Sequence, residues 1–541
     1  MNKNKKIIEI FIVLFFVLIS IFFQFYYNNG RHPYIFLSSD AAMIASFAAA
    51  SDYPHLFKED PLLGDENNFN YYQTFHIYYL RWMHGKGLDY GTAFHLLIGI
   101  HIFLHLIGFY LLGKKLCKNY FWAFYFTLLC LIPLKINLGE YVGVFLDPLP
   151  RFSFQTFLPF TLLLIFFIKK KIKYAYLAIG LLGLLVYAHP ASAPVWGASV
   201  FLSILILLPK HWNSKKKILF LILLCFVYIL VISPFMINYL NHHAHGKIMD
   251  YEDFFSIIYK RIHYSHFHPL RALFQFLLIK EVTLIMLVMV VACFYLLKFK
   301  NRENLNILFV WFFGILIFAV FIPELEHRIC RFLKVYPLEM DLSRNIRYLV
   351  LISYMIIVHA FSKMNQLQNK NYSLISYLVG VLFFLFLFIP QIKNLPRNFN
   401  NRFLKKNILQ TNSYDKAYLE FFKTVKKIIP DNSKIFTLSV QAEIIRYYLL
   451  NPVSWSWKDA GILSYTNHNA LEKWNEIYIK CDEIMGSHFS IKERYYQYLK
   501  IGEKLESDYV ILKRSEVPEN ILKLKTVKCY NGLLVLVKVK D

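Results

Sequence analysis

The chain has 541 residues, 57% of them hydrophobic and 18% charged, with a mean hydropathy of +0.40. That balance excludes an ordinary soluble enzyme and points to a polytopic α-helical membrane protein. The formal net charge of +25 does not argue for nucleic acid: most lysines and arginines sit in short segments beside apolar runs, where they set topology.

The first segment, MNKNKK, precedes an apolar run from Ile7 to Phe25. The run is too long for the core of a signal peptide and no small-x-small site follows, so a retained signal-anchor helix is expected. Apolar stretches then recur to Pro390. The expected spans are 7–27, 92–113, 119–134, 155–168, 174–188, 193–209, 217–236, 273–297, 305–322, 346–362 and 373–390, about eleven helices of roughly 17–25 residues each. One set of connecting loops (NKNKK, GKKLCKN, KKKIK, PKHWNSKKK, KFKNRE, SKMNQLQNK) is short, basic and nearly free of acids. The alternating set (31–89, 136–153, 237–272, 324–345) is longer and carries the carboxylates. The basic set marks the cytoplasmic side, so the N-terminus is inside, and the long loops and the tail are outside. The tail, 391–541, is lysine-rich. It reads as an extracytoplasmic α/β domain, with helices at AYLEFFKTVKKIIP and QAEIIRYYLL and strands at KIFTLSV, DYVILK and GLLVLVKVKD. The division is thus 1–390, a transmembrane domain, and 391–541, a small soluble one. Seven scattered cysteines show no metal or redox spacing.

The first outer loop, Arg31 to Asp89, gathers Asp40, Asp52, Glu59, Asp60, Asp65 and Glu66 in an otherwise apolar setting. SSDAAMIASFAAAS reads as a short amphipathic helix with Ser38, Ser39 or Asp40 at its cap, lying flat at the interface. Asp40 is either that cap alone or also a general base for an acceptor hydroxyl. Glu59 and Asp60, before a proline, form either a solvated acidic turn or a site for a divalent cation, completed by Asp147 and Glu140 of the second outer loop; Arg151 is the competing partner of Asp147. In ELEHRICRFLKVYPLEMDLSRNIRYLV, Arg328 and Arg331, and Arg344 and Arg347, are spaced for one helical face each. They either cradle a lipid-linked phosphate or pair with Glu324, Glu326, Glu339 and Asp341. Arg347 stands at the mouth of a span, where an arginine must be paired or wet. His189 faces either a polar cavity or a satisfied buried site. His242, His243, His245, His263, His266 and His268 permit zinc by spacing, without a supporting thiol or carboxylate pattern. In the tail, Arg446, Trp455, Trp457, Lys458 and Asp459 fall close together, as core and surface charge or as a surface for sugars and cations. There is no GxGxxG, Walker A, GxSxG, HExxH or kinase set in a supporting context.

The acidic first outer loop with LSSDAAMIA, about eleven spans and an outward tail together resemble the GT-C superfamily of glycosyltransferases dependent on polyprenyl-phosphate sugars. The resemblance implies a GT-C-like fold with interfacial helices in the first outer loop. It implies Asp40 as catalytic base, with Glu59, Asp60 and Asp147 as a second acidic site. Arg328, Arg331, Arg344 and Arg347 would hold the carrier phosphate, and His189 and Arg151 would line the cavity. The implied reaction moves a sugar, with inversion, to a glycan, lipid or protein acceptor on the outer face of a bacterial inner membrane, with a divalent cation (Mg or Mn) as an optional cofactor. Membrane lipids are expected partners and nucleic acid is not. The chain lacks a WWDYG-type run and an adjacent Asp-Glu pair at Asp40. The alternatives are a lipid-linked glycan flippase or transporter, and a glycan polymerase or ligase. Few charges lie deep in the spans, Lys280 and Glu281 chief among them, and no paired halves are visible, which counts against a transporter.

Overall fold

The computed structural model describes residues 3–28, 37, 39–136, 141–144, 148–243, 249–262, 267–299, 302–337, 341–366, 370–394, 413–486 and 489–539. Apolar runs bounded by polar caps make most of it helical. Asp89 caps the helix Tyr90–Cys117 by accepting from the Thr92 backbone N–H and hydroxyl (2.8 and 2.7 Å), and Lys114 and Lys115 close its last turn.

Six helical stretches among the described residues are long and apolar enough to cross a bilayer: Lys6–Phe25, Tyr90–Cys117, Ser214–His242, Glu303–Leu333, Leu342–Gln366 and Ser373–Gln391. Pro269–Leu277 and Lys280–Leu296, bent by 83°, make a seventh if they cross together. The chain is an integral membrane protein on this composition and length. A helix stands at each of the other four expected spans, but Tyr120–Leu131, Pro150–Ile165, Lys173–Tyr187 and Ala193–Leu207 are shorter than the roughly 20 residues a crossing takes. Pro133, the lysines 169–171, Pro190 and Pro209 cut these runs short.

The chain folds into two compact units. The first comprises Met1–Phe23, Ile98–Pro234 and His263–Lys406; the second comprises Gln24–Leu97, Phe235–Ile262 and Asn407–Asp541. In the first, the apolar window of Leu342–Gln366 is wholly buried, packed by Lys280–Leu296, Glu303–Leu316, Lys370–Asn394 and Tyr120–Leu131. Trp196, Trp311 and Tyr348 meet edge to face beside it, with centroids 6.1 and 5.5 Å apart. The stretch after Phe321, expected as the start of an outer loop, instead continues as the helix Ile322–Leu333. Pro323 lacks an N–H, and the chain meets this with a π turn over Ile317–Phe321 rather than a break.

The second unit holds the described part of the segment 31–89 together with the tail. Its sheet is mixed, in the order Ile435–Thr437, Tyr509–Lys513, Leu534–Lys538, Val527–Tyr530, with only the first pair parallel. The helix Ser39–Asp52 is not the amphipathic surface helix expected: Ala41 to Ala50 are buried all round. Its alanines let Phe75–His84, Pro54–Phe57 and the turn Ile445–Leu449 approach from different sides.

Candidate functional site

Asp40 lies in the first turn of Ser39–Asp52, where the helix dipole favours a negative charge. The Lys458 ammonium meets its Oδ1 at 2.5 Å, and the Asp40 side chain keeps 41% of its surface exposed. Lys458 is held from behind. Its backbone N–H donates to the Ser456 hydroxyl (3.2 Å), which donates to Glu443 Oε1 (2.6 Å), and the Trp474 indole N–H donates to the Ser456 carbonyl (2.8 Å). The segment is also tied to the sheet: Val453 bridges Ile435, and the Ser454 N–H donates to the Ile435 carbonyl.

The residue after Lys458, Asp459, belongs to a fully buried ion triad. Arg446 grips Asp60 with Nε and Nη2 (2.8 and 2.7 Å) and Asp459 with Nη1 and Nη2 (2.7 and 2.8 Å). Asp60 accepts three further bonds, from the backbone N–H groups of Leu62, Leu63 and Val453, each at 3.0 Å. Burial pushes the Asp459 carboxyl up, to about 6, against the pull of Arg446. Burial also works against the Arg446 charge, but Asp459 and Asp60 outweigh it and hold the guanidinium above its ordinary range.

Gly64 closes the Asp60 turn, its N–H donating to the Asp60 carbonyl at 2.9 Å. A Cβ there would stand 2.7 Å from the carbonyl oxygens of Asp60 and Lys58 and 3.0 Å from that of Phe57. Gly64→Ala is therefore expected to lower stability by about 1–3 kcal/mol, read as a lower melting temperature in detergent. An unchanged melting point would show that the turn relaxes freely.

The other acids of the loop separate. Glu59 is exposed on the turn that follows Pro54–Phe57 while Asp60 is buried, so the two are not brought together as a chelating pair. Asp52 accepts from Arg81 Nε (2.6 Å) and the Tyr90 hydroxyl (2.8 Å), and Asp65 caps a short turn. Asp147, Glu140, Ser38, Glu339, His245, His263 and His266 lie outside the described residues. Among the described residues, no group of three or more His, Cys, Asp or Glu is placed to hold a metal ion.

In the first unit the arginines also part. Arg328 pairs with Glu324 (2.9 Å) and Arg344 with Asp341 (3.2 Å); Arg331 is exposed on the helix Ile322–Leu333. Arg347 is buried, and its Nη2 donates to the Ser192 hydroxyl (3.2 Å) and the Tyr348 hydroxyl (3.3 Å). Ser192 donates to Asn345 Oδ1 (2.7 Å) and lies 2.9 Å from His189 Nδ1. Two residues expected separately, His189 and Arg347, thus meet on one serine. Arg151 is half-buried in the first turn of Pro150–Ile165.

Reading the sequence missed Ser192, Asn345 and Glu443, and missed that Arg446 and Lys458 answer Asp60 and Asp40, with Asp459 sharing Arg446. The available signal was complementary charge: an acid-rich loop and a tail segment, RYYLLNPVSWSWKDAG, with cations beside tryptophans.

No protein-family model and no curated protein matches the chain. Among solved structures it is similar to ArnT from Cupriavidus metallidurans in the apo state, at 11% sequence identity and a TM-score of 0.43, over 98% of each chain.

Proposed function

We propose that the protein is a membrane glycosyltransferase of GT-C type. It would move one sugar from a polyprenyl-phosphate carrier to an acceptor hydroxyl on the outer face of the membrane, with inversion. The observation that carries the reading is the part-exposed Asp40–Lys458 pair, whose lysine adjoins a buried clasp in the chain. Asp40 accepts the acceptor's proton as the acceptor oxygen bonds to the anomeric carbon; the bond from that carbon to the carrier phosphate breaks, and the phosphate keeps the electron pair. Lys458 keeps a positive charge beside the carboxylate and beside the position where phosphate charge accumulates. Arg328, Arg331, Arg344 and Arg347 are proposed to neutralise the carrier phosphate. Glu59 and Asp60 do not fit a shared cation, and no step is assigned to one.

The test is the fate of the donor. The full chain, reconstituted in liposomes with a radiolabelled sugar on polyprenyl phosphate, is expected to release unlabelled polyprenyl phosphate. Movement of the intact donor across the bilayer would indicate a flippase instead. Release of a diphosphate from an oligosaccharide carrier would indicate a polymerase or ligase. Either result, without monophosphate release, sinks the proposal.

A further inference from the structure

We propose that Trp457 and Arg261 form a subsite for the acceptor, a saccharide ring that carries an anionic oxyacid group. This rests on the transferase reading, and it names the chemistry of the second substrate.

In the segment from Trp455 to Asp459 only Trp457 is turned well into the open. Trp455, Ser456 and Asp459 are 5%, 3% and 1% exposed, whereas Trp457 keeps 44% of its surface in the open. That stance is imposed by locked flanks. Trp455 donates its indole N–H to the Trp474 carbonyl (3.3 Å), Ser456 is held by Glu443 and Trp474, and Asp459 is held by Arg446. Trp457 is thereby held at the surface, where its ring can be met from solvent.

The surroundings of the ring say what it would contact. The Arg261 guanidinium carbon sits 3.8 Å from the Trp457 ring centroid, covering one face. Lys260 donates to Asn475 Oδ1 (2.7 Å), with its ammonium 5.8 Å from the Tyr478 ring. Tyr478 stacks on Trp474, which stacks on Trp455, so Lys260 rests on the end of an aromatic stack while Arg261 rests on Trp457. Lys458 follows Trp457 directly and reaches Asp40. An indole presents a flat apolar surface that suits the C–H face of a pyranose. Guanidinium and ammonium groups beside it suit phosphate or carboxylate oxygens, and stacking on the indole keeps the Arg261 fork oriented. The reactant that gives its proton to Asp40 is the acceptor, and Lys458, the next residue after Trp457, is bonded to Asp40.

The experiment is saturation-transfer NMR on the full chain in detergent, with N-acetylglucosamine 6-phosphate and N-acetylglucosamine as probes. Wild type is expected to favour the phosphorylated sugar. Trp457→Ala is expected to reduce transfer to it by about fivefold or more, with Trp457→Phe restoring most of it. Arg261→Gln is expected to remove the preference for phosphate while leaving the neutral sugar unchanged. Binding is read here without turnover, so a failed transferase reading and a failed subsite give different results. No preference in wild type, or equal transfer in Trp457→Ala with an unchanged melting temperature, overturns the proposal.

Discussion

Arg446→Met is expected to cost the second unit about 3–5 kcal/mol, because it leaves two carboxylates in the interior without their cation. The residue is completely buried and spends four N–H donors on Asp60 and Asp459. Methionine matches much of its volume, so lost packing is the smaller term. Asp459→Asn should cost less: burial already pushes that carboxyl toward its neutral form, and an amide keeps acceptor capacity toward Arg446. Asp60→Leu should cost more than Asp459→Asn, since it also orphans the N–H groups of Leu62, Leu63 and Val453, each worth about 1–3 kcal/mol when buried without a partner. The order is read from melting temperatures of the full chain in detergent. An Arg446→Met protein that melts with wild type would show that the triad is not a clasp.

The positions of the apolar helices were legible because each rests on local information: a run long enough, and a proline, lysine or asparagine to end it. Asn119, which caps Tyr120–Leu131 by accepting from the Trp122 N–H, is of that kind. Arg347 shows how far such reasoning reaches. Its place at the mouth of a span demanded a polar partner, but nothing in its neighbourhood named Ser192, which lies 155 residues away. The triad is the extreme case, with Asp60 and Arg446 separated by 386 positions. Spacing tells which face a residue occupies and never which partner it meets. The helix Ser39–Asp52 misled for a related reason: small residues on every side look like a weak amphipathic pattern until other elements close around them.

Asp40→Asn is expected to lower sugar transfer by about 10²–10⁴-fold while the protein folds as before. The fold should survive because the Asp40 side chain is 41% exposed, and an ion pair of that kind contributes at most about 1 kcal/mol. The chemistry should not survive, because an amide cannot take a proton from the acceptor in the transition state. Asp40→Glu keeps the acid but displaces it by a methylene, so it should fall between the two, since a small misplacement of a reacting group already slows a positioned reaction. Lys458→Met separates the two roles given to the lysine. If Lys458 only positions Asp40, adding Lys458→Met to Asp40→Asn should change little further, as residues that act as a unit are far from additive. If it also meets the leaving phosphate, the double variant should be slower than Asp40→Asn alone. Transfer by Asp40→Asn within threefold of wild type, measured on equal amounts of folded protein, would remove Asp40 from catalysis.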